Sequence, residues 1–289
     1  MKIGVIGLGA MGSRIARNYV DAGYEVFVCN RTKTKSIELV ERGARWCDSP
    51  KAIAESADTI FTILTNDEAS KSVWLDPEIG IIRGLGRNKI GIESSTISHK
   101  WAIELATELR SFNYLEAPLV GSRPQADARQ LTILVGGDQD NYEKVKNLLA
   151  VTSAKVPYVG EHGKAIALKL ATNSLFGIQT VAFAELYSTL LLSGFDREQI
   201  MKILPNLPIT SPIMQMMLSL FAEEKFAPLF PIDLVEKDFA YAKELVEAKG
   251  LNAYLVSATQ NVYRYATEAG FGDQNISGII NIYNGRRRK

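Results

Sequence analysis

Short apolar runs alternate with longer helical patterns through the first half of the chain, and only helical patterns follow. Ile3 to Ile6 (in KIGVIG), Glu25 to Cys29 (EVFVC), Thr59 to Leu64 (TIFTIL), Lys89 to Ile92 (KIGI), Tyr114 to Leu115 and Leu131 to Gly137 (LTILVGG) read as buried strands. Between them lie helical segments such as SRIARNYVDAG, stopped by Gly23, WAIELATELR and NYEKVKNLLAV. A short apolar return at Val156 to Val159 closes this series near Gly160. Alternation of this kind predicts an α/β fold with a doubly wound, Rossmann-type parallel sheet.

The longest pattern runs from Gly163 to Gly194, GKAIALKLATNSLFGIQTVAFAELYSTLLLSG. It predicts one helix of roughly 30 residues, about 45 Å long. Apolar side chains occur all round it, so the expectation is burial on every side. From Asp196 on, DREQIMKILPN, PIMQMMLSLFAEEKF, DLVEKDFAYAKELVEAKG and LNAYLVSATQNVYRYATEAG predict further helices, with proline-bearing turns at Pro205, Pro208, Pro212, Pro228 and Pro231. The pattern predicts two domains, residues 1–162 with the sheet and residues 163–289 with the long helix and an all-helical remainder. So many apolar helical faces predict a homo-oligomer, a dimer or a tetramer.

Composition narrows the class. A chain of 289 residues suits two domains, and a formal charge of +1 argues against a nucleic-acid partner. Cys29 and Cys47 lack CxxC spacing and His99 and His162 are the only imidazoles, so no metal site is expected. Two thiols suit a reducing compartment. The start MKIGVIGLGAMG lacks the apolar core and cleavage site of a secretory signal. Lys169, Asn173, Gln179 and Glu185 interrupt the long helix, which makes it a poor membrane span. A cytoplasmic protein is the expectation. The charged end Arg286 to Lys289 reads as a solvated tail or a partner contact.

Two features carry chemistry. Gly7-Leu8-Gly9-Ala10-Met11-Gly12 is a G-x-G-x-x-G between a strand and a helix. Its first glycine permits the turn, the second lets backbone approach a pyrophosphate, and the third lets helix pack on strand. The second strand ends in Asn30-Arg31-Thr32-Lys33, with no carboxylate for a ribose 2′-hydroxyl. A guanidinium and a hydroxyl there suit a 2′-phosphate, which favours NADP over NAD. Lys169 and Asn173, four residues apart, share one face of the apolar helix. An ammonium there must be paired, face a cavity, shed its proton, or reach water along its stem.

GLGAMG, the NRT after the second strand, the SST turn at Ser94 to Thr96, the loop APLVGS (Ala117 to Ser122), Lys169 with Asn173, and Lys237-Asp238 occur in order over nearly the full length. Together they resemble the β-hydroxyacid dehydrogenases, the family of 3-hydroxyisobutyrate dehydrogenase, the glyoxylate and succinic semialdehyde reductases and, more distantly, 6-phosphogluconate dehydrogenase. The resemblance implies a Rossmann domain, a long interdomain helix with a catalytic lysine, and an all-helical second domain. It implies that Gly7, Gly9, Ala10, Met11 and Gly12 hold the dinucleotide, with Asn30, Arg31 and Thr32 at the ribose end and the last two on the 2′-phosphate. Leu64 and Thr65 would flank the adenine and ribose side, Thr96 would sit by the nicotinamide, and Lys237 would close on the cofactor, its segment held by Asp238. Lys169 would be the acid/base and Asn173 would orient substrate, with Gly121, Ser122 and Arg123 lining the substrate site.

One departure stands out. The family loop usually carries a substrate-touching serine where this chain has Val120. Ser122 matches the glyoxylate and succinic semialdehyde reductase variant, and Arg123 either anchors a carboxylate or is solvated. The resemblance implies NADP-dependent hydride transfer to a small aldehyde-acid such as glyoxylate or succinic semialdehyde. A 3-hydroxyisobutyrate-type dehydrogenase and a non-catalytic NADP-binding sensor are the alternatives. An imine reductase fits less well, because such relatives generally lack the lysine present at 169.

Overall fold

The computed structural model describes residues 1–285, so the charged tail lies outside the described residues. Its contacts divide the chain into two compact units, Met1–Lys169 and a second from Leu170 on, so the division falls inside the long helix.

The first unit is built on an eight-stranded sheet. In chain order its strands are β1 (Lys2–Ile6), β2 (Glu25–Cys29), β3 (Arg45–Trp46), β4 (Thr59–Thr62), β5 (Ile90–Glu93) and β6 (Asn113–Glu116). After them come β7 (Leu119–Val120), β8 (Leu131–Ile133), β9 (Val135–Gly137), β10 (Ser153–Lys155) and β11 (Tyr158–Gly160). The order β11-β9-β6-β5-β4-β1-β2-β3 puts β1 inside the sheet, third from one edge, with the chain moving outward first to one side and then to the other. That reversal is the Rossmann topology, with its ligand crevice outside the carboxyl ends of the strands. β1 pairs with both β2 and β4 in parallel, Ile6 standing opposite Cys29 and Thr62.

The helices of this unit are α1 (Gly12–Asp21), α2 (Ile37–Glu41), α3 (Pro50–Ser56), α4 (Asp67–Leu75), α5 (His99–Glu108), α6 (Arg123–Asp127) and α7 (Gln139–Leu149). Ser49, Asn66, Ser98 and Asp138 cap four of them, each accepting a backbone N–H in the first turn. Ile3, Val5, Val26, Val28, Phe61 and Ile92 form the core.

One expected strand is two. Leu131 to Gly137 breaks at Leu134: β8 joins β7 and β10 in a three-stranded sheet, while β9 joins the main sheet against β6 and β11. From Ile133 to Val135 apolar residues run unbroken across the switch and all are buried, so hydrophobicity alone could not mark it.

The long helix α8 spans Lys164–Leu192. From Leu170 on it is the spine of the second unit, with α9 (Arg197–Ile203), α10 (Pro212–Ala222), α11 (Ile232–Ala248), α12 (Tyr254–Ala266) and α13 (Ile280–Tyr283). Val181, Phe183, Ala184 and Tyr187 of α8 pack with Met217, Phe221, Phe239 and Tyr263. The expectation of burial all round is corrected here. Leu175, Leu186 and Leu192 are 60%, 58% and 87% exposed, because the other helices of this unit cover only one side of α8 within a single chain.

Candidate functional site

The glycine turn is shaped by contacts that leave no alternative to glycine at two positions. Gly7 has φ +95°, and a Cβ there would lie 2.2 Å from the Ile63 carbonyl oxygen. A Cβ on Gly12 would stand 1.8 Å from the Gly7 carbonyl oxygen, so α1 can start against β1 only without a side chain. Gly9 differs: no atom lies within 4 Å of where its Cβ would be. That open backbone sits at the start of α1, which has no side-chain cap and no acidic residue in its first turn. Uncapped N–H groups on an open turn fit the pyrophosphate of a dinucleotide. Ala10 is exposed and Met11 half-buried beside it.

Asn30 ties this turn to the end of β2. Its Oδ1 accepts from the Leu8 N–H at 2.9 Å and its Nδ2 donates to the Thr32 carbonyl at 3.0 Å. Arg31 and Thr32 are thereby carried next to the glycine turn, both exposed.

The loops after β4 and β5 are held by a buried carboxylate. Glu93 accepts from Ser70 Oγ at 2.5 Å, Trp74 Nε1 at 2.9 Å and the Ser95 N–H at 2.9 Å. Ser95 Oγ accepts in turn from the Leu64 N–H at 2.7 Å. The two predicted cofactor loops, Leu64-Thr65 and the turn with Thr96, are therefore one connected piece. Ser95 works here through a cross-loop bond, and Ser98 is the helix cap, accepting from the Trp101 N–H at 3.0 Å.

Gly121, Ser122 and Arg123 lie elsewhere in this unit. Ser122 and Gln125 form a capping box on α6, the Ser122 N–H donating to Gln125 Oε1 at 2.9 Å. α6 is tied to α1: Asn18 Nδ2 donates to the Ala126 carbonyl at 2.9 Å, and Arg14 pairs with Asp127 at 2.9 Å. Val120 is half-buried in β7, opposite Thr132.

Lys169 is buried, only 7% exposed, so its stem does not carry the amine out to bulk water. Its own unit starts α8 against Glu116, a residue that spacing had not singled out. Glu116 is fully buried and accepts backbone N–H groups from Gly163, Ala165 and Ile166. Burial raises its carboxyl above the ordinary range, and those three bonds act the other way.

In the second unit Asn173 Nδ2 donates to Asp238 Oδ2 at 2.6 Å, and Lys237 Nζ stands 3.0 Å from Asp238 Oδ1. Lys237 also lies over the Tyr241 ring, 4.8 Å from its centroid. Asp238 thus holds both the amide of Asn173 and the ammonium of Lys237, from a position 3% exposed.

Two family models together match nearly the whole chain. The family model described as the NAD binding domain of 6-phosphogluconate dehydrogenase matches residues 2–160. The one described as the NAD-binding of NADP-dependent 3-hydroxyisobutyrate dehydrogenase matches residues 163–283. An uncharacterized oxidoreductase of Bacillus subtilis, YfjR, is 36% identical over 286 residues, covering 97% of this chain and 99% of that protein. Glyoxylate/succinic semialdehyde reductase 2, chloroplastic, of Arabidopsis thaliana is 30% identical, covering 97% of this chain and 78% of that protein. The solved structure of Mycobacterium tuberculosis 3-hydroxyisobutyrate dehydrogenase with L-serine shares the fold, with a TM-score of 0.88 at 24% identity over 97% of this chain and 98% of that one. A glycine turn open to a dinucleotide and matches along nearly the whole length lead to one conclusion: the chain belongs to the β-hydroxyacid dehydrogenase family and is an NAD(P)-dependent hydroxyacid oxidoreductase.

Proposed function

We propose that this enzyme is an NADP-dependent reductase of small aldehyde-acids, of the glyoxylate or succinic semialdehyde type, with Lys169 as the proton donor. The observation that carries the reading is the burial of Lys169 together with Asn173 one turn on. When bound, the nicotinamide supplies the hydride. Negative charge then grows on the substrate oxygen, and the Lys169 ammonium is the group that hands over a proton; in the oxidative direction its amine takes one. Asn173, held by Asp238, orients the substrate. Arg31 and Thr32 carry the 2′-phosphate, which their exposure beside the Asn30-braced turn supports. With Val120 lacking a hydroxyl, recognition of the carboxylate falls to Gly121, Ser122 and Arg123. The exposed leucines of α8 support a homo-oligomer.

The test is NADPH consumption with glyoxylate, succinic semialdehyde and a panel of plain aldehydes, run beside NADP reduction with 3-hydroxyisobutyrate. Turnover is expected with the aldehyde-acids. Faster oxidation of 3-hydroxyisobutyrate moves the enzyme to that branch, and NADPH binding without any turnover favours a non-catalytic module. In the same assay Arg31→Ala is expected to weaken NADPH by about tenfold or more, the order of a lost charge-assisted hydrogen bond, and to leave NADH unchanged. Equal losses for both cofactors count against 2′-phosphate recognition.

A further inference from the structure

The helix that carries Lys169 begins on a carboxylate. Glu116, at the end of β6, accepts from the Gly163 N–H at 3.0 Å through Oε2 and from the Ala165 and Ile166 N–H groups at 2.8 and 3.4 Å through Oε1. These are among the N–H groups that a helix cannot satisfy itself, and a negative charge beside them is favoured by the helix dipole. The entry to the helix is fixed at a second point. His162 stacks on Tyr114, ring centroids 5.2 Å apart, and Tyr114 precedes Glu116 by two residues on the same face of β6. Gly163, between the stack and the helix, takes φ +88°, and a Cβ there would lie 2.7 Å from Ile103 and 2.9 Å from His99. Glu116 is itself backed by β9, where a Cβ on Gly136 would stand 2.5 Å from its Oε1.

The neighbouring strand repeats the device. Glu93 stands opposite Glu116 in the β5–β6 register. Two adjacent strand ends thus each carry a buried carboxylate that holds backbone: Glu93 holds the turn with Ser95, and Glu116 holds the first turn of α8. Lys169 follows Ala165 by four residues, one helical turn, and so lies on the face that Glu116 clamps.

We propose that Glu116 is the positioning residue for Lys169: by clamping three N–H groups at the start of α8 it sets the height and rotation at which the lysine is presented. The proposal rests on the reading of Lys169 as proton donor. Glu116 exchanges no proton with substrate. It acts through the helix, where a misplacement of about 1 Å can cost about a hundredfold in rate. Gln at 116 keeps one acceptor but turns an amide donor toward the helix N–H groups, and Asp keeps the charge one methylene too far back.

The test is a double-mutant cycle with kcat and the NADPH Kd measured for wild type, Glu116→Gln, Lys169→Ala and the double variant. Glu116→Gln is expected to lower kcat by about a hundredfold while NADPH affinity stays within about twofold of wild type. In the Lys169→Ala background the same change should have no further effect on kcat, because the group it positions is gone. Should Glu116→Gln not fold, Glu116→Asp carries the cycle with the charge retained and the same expectation of a kcat loss that vanishes without Lys169. A lowered melting temperature with unchanged kcat overturns the proposal, since the cap would then be structural only. A kcat loss that persists in full without Lys169 overturns it while leaving the lysine reading intact. Near-normal turnover by Lys169→Ala alone rejects the lysine reading, and this proposal with it.

Discussion

The two compact units hold their candidate chemistry in opposite ways. In the first, backbone does most of the work: an open glycine turn, an uncapped helix start, and loops and a helix pinned through their N–H groups by Glu93 and Glu116, with Lys169, the last residue of this unit, as the one candidate acid/base side chain. In the second, side chains do it, with Asp238 gathering Asn173 and Lys237 from different helical positions. A dinucleotide presents phosphates, which backbone N–H groups serve well, whereas a small substrate and a mobile proton need side chains. The two constructions should fail differently when broken.

Asp238→Ala is the larger break. It leaves a buried amide and a largely buried ammonium without their shared acceptor, and loss of one partner from such a pair costs about 3–5 kcal/mol. Chemical denaturation should show that loss in the second unit, and a change under about 1 kcal/mol would put Asp238 outside the supporting structure. Gly12→Ala comes next. A methyl 1.8 Å from the Gly7 oxygen must push the turn aside, at about 3 kcal/mol, the upper part of the overpacking range. Here the signature is lost NADPH binding in a calorimeter, and undiminished affinity would show that the turn does not carry the pyrophosphate.

The smallest effect concerns pH. Burial lowers the His162 pKa below its usual 6.5, so below that pH the unfolded chain holds more protons than the folded one, and stability falls on acidification. Glu116 has the opposite sign: its raised carboxyl keeps a proton longer when folded, so stability falls as pH rises above the usual 4.5. His162→Gln should flatten the acid limb just below pH 6.5, by at most the one-proton slope of about 1.4 kcal/mol per pH unit. An unchanged limb in melting scans would assign it to other groups.

Legibility in the sequence follows the same division. The glycine turn could be read because a backbone-built site constrains neighbouring residues, leaving Gly7, Gly9 and Gly12 at fixed spacing. The long helix was equally plain from its apolar run. Asp238 and Asn173 lie 65 residues apart, so their bond has no local signature; the family resemblance offered Asp238 only as the holder of the Lys237 segment, and the structure supplied its bond to Asn173. Glu116 was hidden in another way: a carboxylate ending an apolar strand before Ala-Pro looks like the start of a polar loop. Only the fold brings the first turn of α8 onto it. The break at Leu134 was invisible because buried apolar residues run unbroken across it, and the exposed side of α8 because composition cannot say how many neighbours a helix will have.

The central claim is that the buried amine at position 169 moves the proton. Its most direct test is the single-turnover rate of NADPH oxidation by Lys169→Ala with the best aldehyde-acid substrate, at saturating cofactor. The expected rate is about 10²–10⁴ lower than wild type, the usual worth of a general acid, with NADPH binding intact. A rate close to wild type would contradict it.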